Sequence, residues 1–577
     1  MPEQAALQAT PQPVTEKTAI DAALRDLAVA RERWGALSIP ERVLLLRRCA
    51  EQSMEVIEEW VRASCEAKGI PFDASLAGEE WLAGPLCVLR YIRLLSNTLQ
   101  DIQRHGAPRL PGRVRKAPDG RAVVPVFPAS RLDALLYMGI KAEVWMQPSV
   151  TPERLRETMA PLYNNGAGKS PGISLVLGAG NVSSIPPTDV LSRLFCDGRV
   201  VLLKMHPVNA YLGPILERAL APLVDEGYLR IVYGGAAEGA YGITHPLVND
   251  VHITGSIHTH DAIVWGATVE ERQRRRSTND PLLTKPITSE LGNVSPVIVV
   301  PGKYTRRALR FQAENVVSMV TNNASFNCNA AKVLLTWEDW PQRPAFLQAL
   351  RELLARVPLR KAYYPGAAER HARFTEGGAG ETFGDPLAGE LPWTLIPGVP
   401  PQGETIYFRE EAFCGVLVET ALPATDAVGY LEAATEFANS QMWGTLNACL
   451  IVPPGFRGSR VGRMALNNAI AKLRYGTIGI NVWPALGYAL MSAPWGGWQG
   501  EGITLADVQS GKGWVHNSFL LEEAEKCVIS GPLSAFPKPP WFATHKRAHK
   551  LGPKLVACEK SPSLFRLPGI VMQAIRG

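Results

Sequence analysis

The chain has 577 residues, of which 46% are hydrophobic and 20% charged, so it is too long for one core and predicts two or three domains of ordinary soluble composition. Its nine cysteines are odd in number and scattered, with no CxxC pair and no Cys/His cluster at zinc spacing, which argues against a disulfide framework and against a metal site, and for reduced thiols in a cytoplasmic protein. The net charge of +6 is concentrated in residues 534–577, where eight Lys/Arg face one acidic residue, Glu559; the rest is near neutral and does not predict a nucleic-acid partner.

Residues 1–19 lack the basic and apolar regions of a secretory signal and read as a short disordered leader. Residues 20–66 carry a helical pattern. Ser38, Pro40 and Glu41 form a capping-box start, and Leu46, Ala50, Met54, Ile57 and Val61 recur as one buried stripe. Residues 106–130, rich in Pro, Arg and Gly, read as a connector. From about 170 the texture alternates between short apolar strands and helices. GISLVLGAG (172–180), GRVVLLKMHP (198–207), LRIVYGG (229–235) and VHITGS (251–256) are the strands, and 212–227 is a helix ending at Gly227. Such spacing implies right-handed crossovers and a parallel sheet. A second alternating block runs from SPVIVV (295–300) through NNASFNCNAAKVLL (322–335), where Cys328 is expected to open a helix, to YFREEAFCGVLVE (407–419). No apolar run reaches the length needed to span a bilayer.

In a doubly wound sheet, ligands gather at the C-terminal ends of the strands. Three features fall there: Asn181 in the turn after the first strand, Lys204 at the end of the second, and Gly255–Ser256 opening a helix whose N–H groups suit a phosphate. GGAAEG, with Gly234 and Gly239, is a degenerate dinucleotide loop. Glu290 in ITSELGNVSP sits on a strand edge as either a helix cap or a base in a partly dry site. Taken singly, each of these is weak; a lone cysteine is more often packing than chemistry.

Taken in order, the pieces resemble the aldehyde dehydrogenase superfamily over roughly residues 25–520. ARERWGALSIPERVLLLRRCAE is similar to its N-terminal helices, and GAGNVSS, LLKMHP and ITGS to its oxyanion and cofactor segments. SELGNVSPVIVV resembles its glutamate motif, NNASFNCNAAKV its cysteine motif with Asn323 five residues before Cys328, and EEAFCGVLVE its nicotinamide-end segment. FANSQMWGTLNACL and GTIGINVWPALGYALMSAPWGGWQGEG are similar to its closing segments. The resemblance implies an α/β, aldehyde dehydrogenase-like fold: a Rossmann-type cofactor domain, an α/β catalytic domain and a small β oligomerisation ribbon. The cofactor domain would span 20–285 (completed by about 476–511) and the catalytic domain 286–475. The ribbon would use 130–150 and 512–522 and join two or four copies of the chain. Cys328 would be the nucleophile, favoured by a helix start, with Asn181 at the oxyanion and Glu290 activating water. Lys204 and Glu411 would hold ribose hydroxyls of NAD or NADP, Phe413 would meet the nicotinamide, and Gly255–Ser256 would face the pyrophosphate. The product would be the acid of a small-molecule aldehyde.

Several positions depart from the family pattern. His260 replaces a glycine five residues after Gly255 and is expected to crowd the cofactor. The stretch from Gly255 to Glu290 is long and holds RQRRR (272–276), either a solvated helix end or a contact for a phosphate. Pro207 stands where NAD-preferring members often have a glutamate, which admits NADP. Ala324 and Phe326 replace more usual residues. Two alternatives stay open: a CoA-linked acyl-CoA reductase of the same superfamily, which the retained Glu290 opposes, and a non-catalytic homologue with impaired cofactor binding, which His260 favours. The extension 534–577 mixes Trp541, Phe542, Leu564 and Ile570 with Lys546, Arg547, Lys550 and Lys554. It reads either as packing across a neighbouring subunit or as a peripheral contact with an anionic membrane, the latter suiting a hydrophobic aldehyde in an apolar tunnel near Trp483, Tyr488 and Trp495.

Overall fold

Two parallel sheets face each other, joined where the chain passes from one to the other through Gly292–Val294. The computed structural model describes residues 13–164 and 171–577. The first sheet has five parallel strands in the order Leu229–Val232, Val200–Lys204, Ile173–Leu177, Asp250–Gly255 and Ile287–Leu291. Two of its inner strands, Ile173–Leu177 and Val200–Lys204, are mainly apolar and almost wholly buried, as a sheet covered on both faces requires. The second sheet has eleven strands. Seven run parallel: Trp393–Ile396, Val416–Leu422, Ala331–Trp337, Ser295–Val299, Asn447–Ile451, Thr477–Ile480 and Ala524–Ser530.

The N-terminal helices cover the smaller sheet. Ile39–Ala67 begins at Ser38, whose backbone N–H donates to the Glu41 carboxylate at 2.7 Å. This helix is buried on two sides rather than one. Leu46, Cys49, Val56 and Trp60 join the core of the small sheet, whereas Ile57, Val61 and Cys65 pack with Leu551, Leu555 and Val556 of the C-terminal extension.

Some boundaries lie elsewhere than the sequence pattern placed them. Residues 1–12 of the expected leader lie outside the described residues, and the first helix already begins at Lys17. The 212–227 helix is broken at Leu220, ahead of Pro222, into Gly213–Ala219 and Ala221–Asp225. The 106–130 connector contains the strand Ala122–Phe127, which pairs antiparallel with Lys141–Met146. That hairpin continues the large sheet through Ala524–Ser530, so the third ribbon strand lies after 512–522 and not within it. The strand Ile287–Leu291, expected in the catalytic half, pairs with Asp250–Gly255 of the smaller sheet. Thr477–Ile480, expected to complete the cofactor domain, belongs to the larger sheet.

The C-terminal extension folds back on its own chain. Ala548–Lys560 packs against Gly78–Ala83 and Pro85–His105, and the close approach needs glycine: a Cβ at Gly78 would meet that of Ala548 at 2.3 Å. The buried Arg90 donates to Asp133 (2.9 Å) and Glu559 (2.6 Å), and Arg93 also binds Glu559. Phe542 stacks near Phe311 with ring centroids 4.9 Å apart, and Ile570 is buried. With these anchors used inside the chain, and Trp541 packed against the same core, only Leu564 of the four named apolar residues is left exposed; they give no support to a membrane contact. Among the described residues, no helix is long and apolar enough to cross a membrane.

Candidate active site

The turn before Cys328 is the most constrained backbone in the site. Asn323, Ala324 and Ser325 follow one another with φ of 52°, 54° and 68°. For residues with a Cβ this left-handed conformation costs on the order of 1 kcal/mol each, so it persists only where surroundings enforce it. Here Asn323 is held on every side. Its backbone N–H donates to Glu79 (3.0 Å), its amide nitrogen donates to the Asn181 and Phe326 carbonyls (3.0 and 3.1 Å), and its amide oxygen accepts from Lys68 and Tyr363 (3.0 and 2.9 Å). Lys68 in turn is paired with Glu80 at 2.8 Å inside the protein. Phe326 packs against Tyr363, Tyr364 and Phe413, which explains an aromatic residue at that position.

Cys328 follows this turn and precedes the strand Ala331–Trp337. It therefore does not open a helix, and no helix start lies behind its thiol. Burial, together with the carboxyls of Glu290 and Glu411, holds the thiol well above its ordinary range, with Lys332 partly offsetting them. The thiol donates to Glu290 Oε1 at 3.3 Å. Glu290 is buried, and burial lifts its carboxyl to about 7, with Asp189 adding to the rise and Trp495 and Cys328 opposing it. A carboxyl poised near neutrality can accept the proton of a thiol in contact with it. Asn181 donates from its side-chain amide to the Phe326 carbonyl (2.9 Å), and its own carbonyl accepts from Lys68, Asn323 and Tyr363. That network fixes the amide beside the cysteine turn.

Cys328, Glu290 and Asn181 open into one cavity of about 1140 Å³ between the two sheets. Lys204, Gly239, Gly255, Ser256, Glu411 and Phe413 line it too. Of the glycine loop, Gly235 rather than Gly234 reaches the wall, because Gly234 is turned onto Glu238. Burial lowers the Lys204 ammonium, an effect partly offset by Glu238. Glu411 is raised to about 7 by burial, and its Oε1 has no protein partner. The carboxylate lies over Gly292, where a Cβ would come within 2.0 Å of Oε2. Arg370 holds this turn through the Ala412 carbonyl at 3.2 Å, with its guanidinium 5.8 Å from the Phe413 ring centre.

His260 is fully buried on the far side of its helix and does not line the cavity, whereas His258 and Thr259 do. It stands 3.5 Å from Asp261, so the expected crowding of the cofactor space is absent. Three arginines of the RQRRR run are bound within the protein: Arg272 to the Gly266 and Ala267 carbonyls, Arg275 to Glu271 and Asp280, and Arg276 to Asp261. Trp483, Tyr488 and Trp495 are interior packing and do not line this cavity. The sequence reasoning missed Lys332, although it lies in the quoted cysteine motif, and Arg370, for which no local signal exists. His206, quoted only as part of LLKMHP, lines the cavity stacked on Tyr364.

No family model and no curated protein matches the sequence. Solved structures do. The γ-glutamyl-γ-aminobutyraldehyde dehydrogenase of Burkholderia cenocepacia J2315 superposes with a TM-score of 0.59 at 18% identity, over 89% of each chain. The NADP-dependent glyceraldehyde-3-phosphate dehydrogenase of Bacillus halodurans C-125, complexed with NADP, gives 0.58 at 18% identity over 90% of this chain and 92% of that one. The chain has the aldehyde dehydrogenase fold. A variant of aldehyde dehydrogenase C from Pseudomonas syringae, complexed with NAD+ and octanal, shares that fold at a TM-score of 0.57 and 16% identity, over 90% of each chain.

Proposed function

We propose that the protein is an NAD(P)-dependent aldehyde dehydrogenase that converts an aldehyde to its carboxylic acid. The observation that carries this reading is the contact of the Cys328 thiol with the Glu290 carboxyl, with Asn181 beside it, on the wall of a cavity between the two sheets. The cavity suits a dinucleotide: Lys204 stands at a strand end, Gly255–Ser256 at a helix start, and Glu411 presents an unpartnered buried oxygen. Bound there, a nicotinamide would supply the hydride acceptor.

The chain's own residues supply the remainder. Glu290 takes the thiol proton, and Cys328 Sγ adds to the aldehyde carbon to form a thiohemiacetal. The Asn181 amide and the Cys328 backbone N–H face the developing oxyanion. Oxidation leaves a thioester on Cys328. Glu290, once it has released that first proton to solvent, takes a proton from the attacking water; the acid leaves, and Glu290 returns this proton to the Cys328 thiolate. A CoA-linked release needs no such base, so Glu290 at 3.3 Å from the thiol favours hydrolysis. The neighbours include NAD+ and NADP complexes, and neither cofactor is preferred by the residues around Lys204. The fold's ribbon suits a dimer or tetramer.

The test is formation of NADH or NADPH by the purified chain with a panel of aldehydes, beside Cys328→Ala. The variant should lose turnover at least 1000-fold, as expected for removing a covalent nucleophile, and should keep cofactor affinity. Retained activity in the variant would overturn the assignment.

A further inference from the structure

Behind Glu290 lies a buried polar cluster that the proposed reaction does not use. Its centre is Asp189 on the helix Ile185–Phe195, wholly buried. Thr254 donates to Asp189 Oδ2 at 2.9 Å, and Thr254 is the register partner of Glu290 on the adjacent parallel strand. His252, two residues earlier, is the register partner of Thr288 and lies 3.5 Å from the same Asp189 oxygen through Nε2. Its Nδ1 faces Arg193 at 3.3 Å and the Thr288 hydroxyl at 2.9 Å. Arginine only donates, so Nδ1 is the acceptor and the ring hydrogen sits on Nε2, 3.4 Å from the Thr254 hydroxyl and 3.5 Å from Asp189 Oδ2. Thr254 and His252 thus both face Asp189 Oδ2 and hold its side chain in place. Asp189 Oδ1 and Glu290 Oε2 are both buried and have no protein partner. A like charge held in place beside a base favours the base's protonated form.

We propose that Asp189, held in place by Thr254 and the His252–Arg193 pair, is a positioning residue that acts through Glu290 by opposing its ionisation in the resting site. The other groups facing this pair are the Cys328 thiol and Trp495 on the Glu290 side and His516 and Tyr488 on the Asp189 side. Burial holds the His516 ring near 3 and the Tyr488 phenol well above its ordinary range, so neither carries charge at neutral pH. Asp189 is therefore the group among them that opposes ionisation of Glu290.

This inference rests on the proposed role of Glu290. Asp189→Asn removes the opposing charge, so Glu290 should ionise at lower pH. The acid limb of kcat should move down by about half a pH unit or more, and the rate at pH 6, taken as a fraction of the pH 8.5 plateau, should rise at least about twofold. A purely structural role would lower the rate at every pH without moving the limb. Thr254→Val, which keeps the volume, should move the limb in the same direction by less, so the test survives if Asp189→Asn does not fold. A second readout needs no turnover: the pH profile of Cys328 alkylation by iodoacetamide should shift to lower pH in Asp189→Asn and lose that shift in a Glu290→Gln background. If the alkylation profile shifts while no aldehyde gives a burst of reduced cofactor, the inference stands and the proposed function fails. If the burst is present and both profiles are unmoved in both variants, the inference is overturned.

Discussion

Glu290→Gln should abolish acid release and, at alkaline pH, make the fold more stable. Burial lifts the Glu290 carboxyl from 4.5 to about 7. In the unfolded chain it titrates near its ordinary value. Because the folded value is the higher one, the native state binds the extra proton between these two pH values. The stability is complete below pH 4.5 and is lost as pH rises through 7. At about 1.4 kcal/mol per pH unit, charging this buried group costs about 3 kcal/mol by pH 8.5. Glutamine has the same size and no charge to desolvate. In urea unfolding, the stability difference between variant and wild type should therefore shift toward the variant by about 2–3 kcal/mol between pH 5 and pH 8.5. In single-turnover experiments the same variant should form reduced cofactor much more slowly than wild type, because its thiol has lost the acceptor of its proton, and should stall as thioester once formed. A difference independent of pH, or one shifting toward the wild type at pH 8.5, would refute the picture of a dry, raised carboxyl.

Asn181→Ala should reduce kcat by about 100–1000-fold, the usual cost of one oxyanion donor, with Cys328 alkylation little changed; steady-state kinetics beside thiol labelling checks both. Arg90→Met should destabilise the protein by about 3–5 kcal/mol, because Asp133 would be left buried without its ionic partner and Glu559 would keep only Arg93. Thermal melting reads this, and an unchanged midpoint would show that the C-terminal helix is not anchored there.

What the sequence disclosed was the part written in contiguous residues. Ile173–Leu177 and Val200–Lys204 of the small sheet are mainly apolar runs, and the helix start at Ser38 is spelled by Ser38 and Glu41, so both were legible. Cys328, Glu290, Asn181, Lys204 and Glu411 were found through motif order and meet on one cavity wall. What failed depended on direction or on distant partners. His260 was read as an obstruction because its position along the helix was known and its facing was not. The helix expected at Cys328 came from a run of small residues, but three successive left-handed residues turn the chain into a strand instead. Nothing local announces that turn, since the groups that enforce it, Glu79, Lys68 and Tyr363, lie far away in sequence. The two buried sides of Ile39–Ala67 were read as one stripe because the second side is covered by the C-terminal extension, which the pattern could not connect to it.

The loss of a helix start behind Cys328 changes how its thiolate must arise. Two carboxyls, Glu290 and Glu411, face the buried thiol, and Lys332 is the cation that offsets them. Left to itself this arrangement keeps the thiol protonated, which protects a cysteine on a cavity wall from adventitious oxidation. Ionisation then requires the proton to move to the acceptor already in contact, Glu290 Oε1, whose own value near 7 makes that transfer least costly around neutral pH. In the proposed reaction the base and the nucleophile would thus be one proton-sharing unit. The strained turn that sets their separation is held by the same Lys68–Asn323–Asn181 network that fixes the oxyanion donor. Disturbing that network at Lys68 would loosen nucleophile and oxyanion donor together, although Lys68 is not among the residues that line the cavity.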